Sequence, residues 1–336
     1  MFTSLDCEAL IAMDLFTPIV AADKLHQNFA RTLDDSAAGV RDVLAGWAEG
    51  FHDRDGKFIR EFQTTYNSSF WELYLFAVLK ELGISVDLSF DVPDFVCPDQ
   101  AMAIEAVIAS HAHDDEPEWK KTIEGIVDKD TGAAYAQSII RLANALTNKS
   151  EAFLKRYATL PQMQERSYVV AVSNYGTQDF NMIGDVPMQW LLYDHFDLGA
   201  VIKPNGSMIE LGWFKDDRYA HISAVMYSAL GTFGKARALS KDDGQYVFHA
   251  IRIRNNQEPI RIVANKADYS ETLTDGLRLF VNPHATVPLN LDPFENDCIR
   301  KFITHPEHGI LSTCHPDGDL CMRALYRLTS RPEAAK

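Results

Sequence analysis

The distribution of apolar residues divides the chain into a helical opening, a strand-rich middle and a less regular second half. Ile19, Leu25, Phe29 and Leu33, then Val40, Val43, Leu44 and Trp47, recur at helical spacings, which predicts a helical layer over residues 1–60. His52-Asp-Arg-Asp-Gly56 reads as a turn. The clearest helix is predicted over 67–82, where Trp71, Tyr74, Leu75, Val78 and Leu82 fall on one face. Ser69 and Glu72 have capping-box spacing, and Gly83 supplies a natural stop. The period then changes to two. Ile84, Val86, Leu88 and Phe90 alternate with polar residues and read as a strand, 92–96 as a second and 101–109 as a third, with Cys97-Pro-Asp-Gln100 as a turn.

Residues 111–131 carry His111, His113, Asp114, Asp115, Glu116 and Glu118 and read as a loop. A long helix is predicted over 133–158 on the stripe Tyr135, Ile139, Leu142, Leu146, Lys149, Phe153 and Tyr157, closed by Pro161. Tyr168-Val-Val-Ala-Val172, inside 166–173, is a continuous apolar run suited to a strand buried on both faces. The order α, β, β, β, α, β predicts an α/β protein: a mixed sheet with helices against it. Three regions follow: an N-terminal helical region (1–60), a core (61–180) and a C-terminal α+β region (181–336) for substrate or partner binding. Within the last, 222–230 suits a strand or a short helix, and 246–254 a strand.

Composition changes this picture little. Of 336 residues, 46% are hydrophobic and 24% charged, an ordinary globular balance. No run of eighteen apolar residues exists, so neither a membrane span nor a membrane partner is expected. The first residues, with Asp6 and Glu8 and no basic segment, do not read as a signal peptide. Five widely spread cysteines suggest free thiols and a cytoplasmic setting. A net charge of −15 argues against indiscriminate binding to nucleic acid and leaves room for a local basic groove.

Candidate chemistry gathers between Ser69 and Val107. Glu105 interrupts the apolar run Met102 to Ala109, where a carboxylate is costly unless paired or metal-bound. Residues two apart on a strand share a face, so Glu105 and Val107 point one way and Ile104, Ala106 and Ile108 the other. If the strand of Asp94 pairs with that of Glu105, the two carboxylates converge on one divalent cation. Mg²⁺ or Mn²⁺, which take oxygen ligands from few carboxylates plus water and phosphate, fits such a site. Glu72 either assists them or serves only as a helix cap.

Pro93-Asp94 and, eleven positions on, Glu105-Ala106-Val107 resemble the motif of the PD-(D/E)XK nuclease superfamily, and the α-β-β-β-α-β order resembles its restriction-endonuclease-like core. The resemblance covers about residues 60–175. It implies a metal-dependent nuclease with Asp94, Glu105 and Glu72 around Mg²⁺ or Mn²⁺, acting on DNA ahead of RNA. Enzymes of this superfamily often act as homodimers, and defence or repair is the setting that analogy suggests. The family's lysine position is Val107 here, which can neither donate a proton nor offset charge. Either the lysine has migrated or catalysis is lost. Some members supply the lysine from the following helix, and Lys149, inside the apolar stripe of 133–158, is the candidate here; its alternative is to snorkel from the stripe's edge. The rival to a nuclease is a catalytically inactive protein of the same fold that binds nucleic acid or a protein partner.

Three other constellations are weaker. Cys298, His305, His308, Cys314, His315 and Cys321 could hold Zn²⁺ but match no Cys-x₂-Cys pair. Gly231-Thr-Phe-Gly234-Lys235-Ala236 hints at a phosphate loop but has Ala229 and Ala236 where that loop needs glycine and Ser or Thr; a turn, with Lys235 and Arg237 near a phosphate, is the expectation. Arg252 and Arg254 share a strand face, either as a phosphate contact or as a solvated surface.

Overall fold

The computed structural model describes residues 13–112, 115–120, 130–241, 246–255, 257–305 and 307–327. Its helices are α1 (Gln27–Ala30), α2 (Ala38–Ala48), α3 (Phe58–Thr64), α4 (Tyr66–Glu81), α5 (Thr131–Ala152), α6 (Phe180–Ile183), α7 (Val186–Tyr193) and α8 (Phe233–Leu239). Its strands are β1 (Phe95–Cys97), β2 (Met102–Ser110), β3 (Ser167–Tyr175), β4 (Ala200–Ile202), β5 (Met208–Glu210), β6 (Ala224–Ser228), β7 (Tyr246–Ile253), β8 (Ile260–Asn265), β9 (Arg278–Val281), β10 (Arg300–His305), β11 (Gly309–Ser312) and β12 (Asp319–Arg327).

The protein is mixed α/β. Seven strands form one sheet in the order β1-β2-β3-β6-β9-β10-β11, with β2, β3 and β6 parallel and β1 antiparallel at one edge. A three-stranded antiparallel sheet, β12-β7-β8, and the small hairpin β4-β5 lie outside it. Because side chains alternate along a strand, the sheet divides its apolar residues between two cores. Ile104, Val169, Ala171, Ala224 and Met226 face the layer of α2, α3 and α4. Ala103, Val170, Val172, Val225 and Tyr227 face α5 and α7.

Helix α4 is the inner element of the first layer. Its predicted apolar face exists, yet its other faces are buried too, and twelve of its residues from Tyr66 to Leu79 are out of water. Trp71 Nε1 donates to the Ala171 carbonyl at 3.0 Å and Tyr74 Oη to that of Leu273 at 2.9 Å, so both polar tips are satisfied as the rings are buried. Helix α5 shows the amphipathic pattern expected of it, with Ile139, Leu142 and Leu146 buried against the sheet.

Several expectations are corrected. Ile84 to Phe90 is not a strand; a single bridge, Asp87 to Val96, is all that forms. The Asp87 carboxylate accepts from Ser89 N at 2.9 Å, a local bond that competes with a ladder. Asp94 lies in a bend before β1 and not on the strand. The capping box fails because α4 starts at Tyr66, which puts Ser69 and Glu72 inside the helix. The seven-stranded sheet continues past residue 180, since β6, β9, β10 and β11 all come from beyond it. Of the two alternatives expected for 222–230, the strand is the one that forms, over Ala224–Ser228 (β6). No helix among the described residues is long and apolar enough to cross a membrane.

The glycine-rich segment before α8 packs rather than cradles. A Cβ on Gly231 would lie 2.8 Å from Tyr74 and 2.9 Å from Trp71, and one on Gly234 would lie 2.9 Å from an Arg323 nitrogen. Lys235 is fully buried, 2.8 Å from Glu271 Oε1, and donates to the carbonyls of Thr272 and Asp275. Arg237 donates to the Ser36 carbonyl, also inside the protein. Neither is placed to meet a phosphate. Arg252 is likewise committed, in a bidentate pair with Asp275 at 2.9 and 2.8 Å.

Glu271 also takes Arg323 of β12, so one buried carboxylate ties the three-stranded sheet to α8. Glu271→Gln keeps the shape and strands two buried cations, which should destabilise the fold by about 3–5 kcal/mol in a denaturant titration. An unchanged midpoint would show that the cluster does not couple these elements.

Candidate active site

Hairpin register brings Asp94 and Glu105 together. In the antiparallel β1-β2 pair Phe95 lies opposite Ile104, so one step further along the register Asp94 comes level with Glu105. Asp94 Oδ2 accepts from Ala106 N at 2.7 Å, which fixes its carboxylate against the strand that carries Glu105. Glu105 is 3% exposed and points to the α5 face, as alternation from Ala103 requires.

Lys149 approaches from that face. It follows the buried Leu146 by three positions and thus continues the inward stripe of α5. Its Nζ lies 2.7 Å from Glu105 Oε1. Helix α5 passes into a π turn, Phe153–Tyr157, which carries the Tyr157 hydroxyl round to donate to the same oxygen at 3.4 Å. Glu105 Oε2 is buried with no hydrogen-bond partner among the described residues. The side chain thus presents one satisfied oxygen and one bare one.

Glu72 arrives from the opposite face of the sheet, on α4. Between it and Asp94 stands Arg54, with Nη2 3.4 Å from Glu72 Oε1 and 3.9 Å from Asp94 Oδ1. Arg54 Nη1 also donates to the carbonyls of Phe90, Pro93 and Asp94, and so holds the bend in which Asp94 sits. Arg54, Glu72 and Asp94 border a cavity of about 410 Å³ that His52, Lys57 and Glu61 also line. The sequence reading missed Arg54: it lies in a polar turn, and nothing local shows that the turn folds onto β1.

The expected trio of acids is therefore divided. Asp94 and Glu105 share Lys149, whereas Glu72 shares Arg54 with Asp94. Among the described residues no three His, Cys, Asp or Glu side chains are gathered as for a metal ion, neither here nor around the C-terminal cysteines and histidines.

Electrostatics follow from burial. Desolvation, reinforced by the charge of Asp94, pushes the Glu72 carboxyl up to about 8 against the pull of Arg54. Burial and the charge of Glu105 push Asp94 up to about 6, while the Ala106 amide, Lys149 and Arg54 oppose the rise. Burial alone would lower Lys149, but the charge and hydrogen bond of Glu105 outweigh it and raise the ammonium above its ordinary value. Lys149 therefore keeps its proton at neutral pH and acts as a donor and a fixed positive charge, not as a base.

Comparison with family models, with curated proteins and with solved structures gives no match.

The raised acids make stability depend on pH. A carboxyl whose folded pKa is about 8 holds a proton that the unfolded chain has already lost above the ordinary carboxyl value of 4.5, so stability falls as pH rises across that window. Glu72→Gln cannot ionise, so the drop in Tm between pH 5 and pH 8 should be smaller in the variant than in the wild type. Superimposable pH profiles would refute a raised Glu72.

Proposed function

We propose that this protein is a metal-dependent nuclease that hydrolyses phosphodiester bonds in DNA ahead of RNA, on a core related to that of restriction endonucleases. The observation that carries the reading is the Glu105–Lys149 pair. The motif's second acid sits level with its first, and the lysine absent at Val107 is supplied by α5, 2.7 Å from Glu105.

The residues fit a divalent cation such as Mg²⁺ or Mn²⁺. Glu105 offers a buried oxygen without a partner, and Asp94 is a carboxyl whose ionisation burial and Glu105 oppose, so a cation would relieve both. Two carboxylates suffice, since Mg²⁺ completes its shell with water and substrate phosphate. When bound, such an ion lowers the pKa of a coordinated water and offsets charge on the leaving oxygen. Asp94, held by the Ala106 amide, and Glu105, held by Lys149 and Tyr157, orient the ligand oxygens. The Lys149 ammonium positions the attacking water and offsets negative charge in the transition state. Arg54, at the cavity wall, is placed to meet a backbone phosphate, and its other role is to hold the bend before β1. Glu72 tunes Arg54 and is not assigned as a ligand.

One observation favours a second reading. Lys149 and Arg54 already lie within ion-pair distance of the three acids, so the cluster is internally compensated, as in a non-catalytic relative that binds nucleic acid or protein. Cleavage assays separate the two. Plasmid, linear and single-stranded DNA, with RNA alongside, are incubated with Mn²⁺, Mg²⁺ or EDTA. The proposal predicts metal-dependent cutting by the wild type, none by Glu105→Ala, and a loss of about 10²–10³-fold in Lys149→Ala. Equal cutting by Glu105→Ala, or no cutting of any substrate by the wild type, would sink it; the second outcome supports the non-catalytic reading.

A further inference from the structure

A second polar cavity lies at the carboxyl ends of the parallel strands β2, β3 and β6, away from the Glu105 cluster and independent of the reading above. It measures about 260 Å³. Glu118 and Trp119 reach it from the segment after β2, Tyr175 from the end of β3, and Thr232 to Gly234 from the segment after β6. Open parallel sheets bind their ligands at this end, in the crevice beyond the carboxyl ends of the strands.

Its polar lining is organised around one carboxylate. Glu118 is 3% exposed. Its Oε1 accepts from Asn28 Nδ2 and Asn67 Nδ2, each at 2.8 Å, and Asn28 Nδ2 also donates to Asn67 Oδ1 at 2.9 Å. Arg31 buttresses the arrangement, donating to Asn28 Oδ1 and to the Trp119 carbonyl, each at 3.0 Å. Among the described residues Glu118 Oε2, which is buried, has no hydrogen-bond partner, and neither does the hydroxyl of Tyr66, which is 1% exposed and lines the same cavity. None of the ion pairs formed among the described residues involves Glu118. His26, packed 4.5 Å from the Trp119 ring, supplies no charge: burial drives its imidazole down to about 4.

A buried carboxylate with one oxygen fixed by two amides and the other without a partner among the described residues favours a further donor, and the Arg31 and Arg323 guanidiniums that line the same cavity make no ion pair with it among those residues. The rings of Trp119, Tyr66 and Tyr175 around it suit a cationic donor, because aromatic faces attract positive charge. We infer that this cavity binds a small organic ligand through a protonated amino group, which donates to Glu118 Oε2 and lies against the Tyr66 hydroxyl. Arg31, at the cavity wall and bonded among the described residues to the neutral acceptors Asn28 Oδ1 and the Trp119 carbonyl, would pair with a carboxylate if the ligand carries one. A free amine and an amino acid therefore share the recognised group and differ in their use of Arg31.

Isothermal titration calorimetry of the full chain with ethylammonium, putrescine, alanine and lysine tests this, with ethanol and acetate as uncharged and anionic controls. Binding by either amine-bearing class, absent for the controls and weakened about 10–100-fold in Glu118→Gln, is the expected result. Sensitivity of the amino acids alone to Arg31→Gln would identify the zwitterion as the better ligand. Glu105→Ala, which removes the proposed nuclease site, should bind as the wild type does. If Glu118→Gln does not fold, Tyr66→Phe, which removes one oxygen, should weaken binding about 2–10-fold. No binding by any amine, or affinity unchanged in the variant that folds, would overturn the inference and leave the cavity as a site for ordered water.

Discussion

A carboxylate in the middle of an apolar strand has to be answered by a positive charge, and in this protein the answer shapes one face of the sheet. Glu105 cannot turn toward solvent, because strand alternation commits it to the face that α5 covers. The cation must then come from α5 itself. Lys149 supplies it at the position where the buried stripe of the helix crosses β2, and the π turn that follows adds the Tyr157 hydroxyl. The packing of α5, the path of the chain after it and the electrostatics of Asp94 all meet at that one carboxylate.

The pair leaves a remainder that invites chemistry. Lys149 and Tyr157 both address Oε1, and Oε2 stays bare. Asp94 is drawn to the same place by the register of β1 and β2 and is held by an amide of the strand. Two carboxyls lie side by side here, one with a buried oxygen that has no partner among the described residues and the other raised to about 6, and the proposed site would gain from a cation. Arg54 keeps the third acid, Glu72, out of this group and stabilises the bend that delivers Asp94. Elsewhere the same rule operates with full compensation: Lys235 and Arg323 satisfy Glu271, and Arg278 satisfies Asp185 at 2.7 Å. Those clusters hold elements together and present no bare carboxylate oxygen.

What could be read from the sequence followed from local periodicity. The apolar run around Glu105 announced a buried acid, the stripe of α5 announced an inward lysine, and the all-apolar run of β3 announced a strand covered on both faces, as its burial shows. What escaped depended on long-range contacts. Arg54 matters only because a turn far from β1 in sequence folds onto it. Strands β9, β10 and β11 are short and carry no marker of joining the sheet begun by β2. Ile84 to Phe90 alternates as a strand should, yet the Asp87 side chain caps Ser89 and the ladder does not form. Lys235, in a segment that mimics a phosphate loop, is buried by a carboxylate that local spacing could not reveal.

The most direct test of the account is whether the fold binds a divalent cation through Glu105. Thermal melts of the wild type and of Glu105→Gln with increasing Mn²⁺ measure this without any assumption about substrate. The account predicts a rise in Tm that grows with Mn²⁺ for the wild type and is absent from the variant. Equal shifts in the two proteins, or no shift in either, would contradict it.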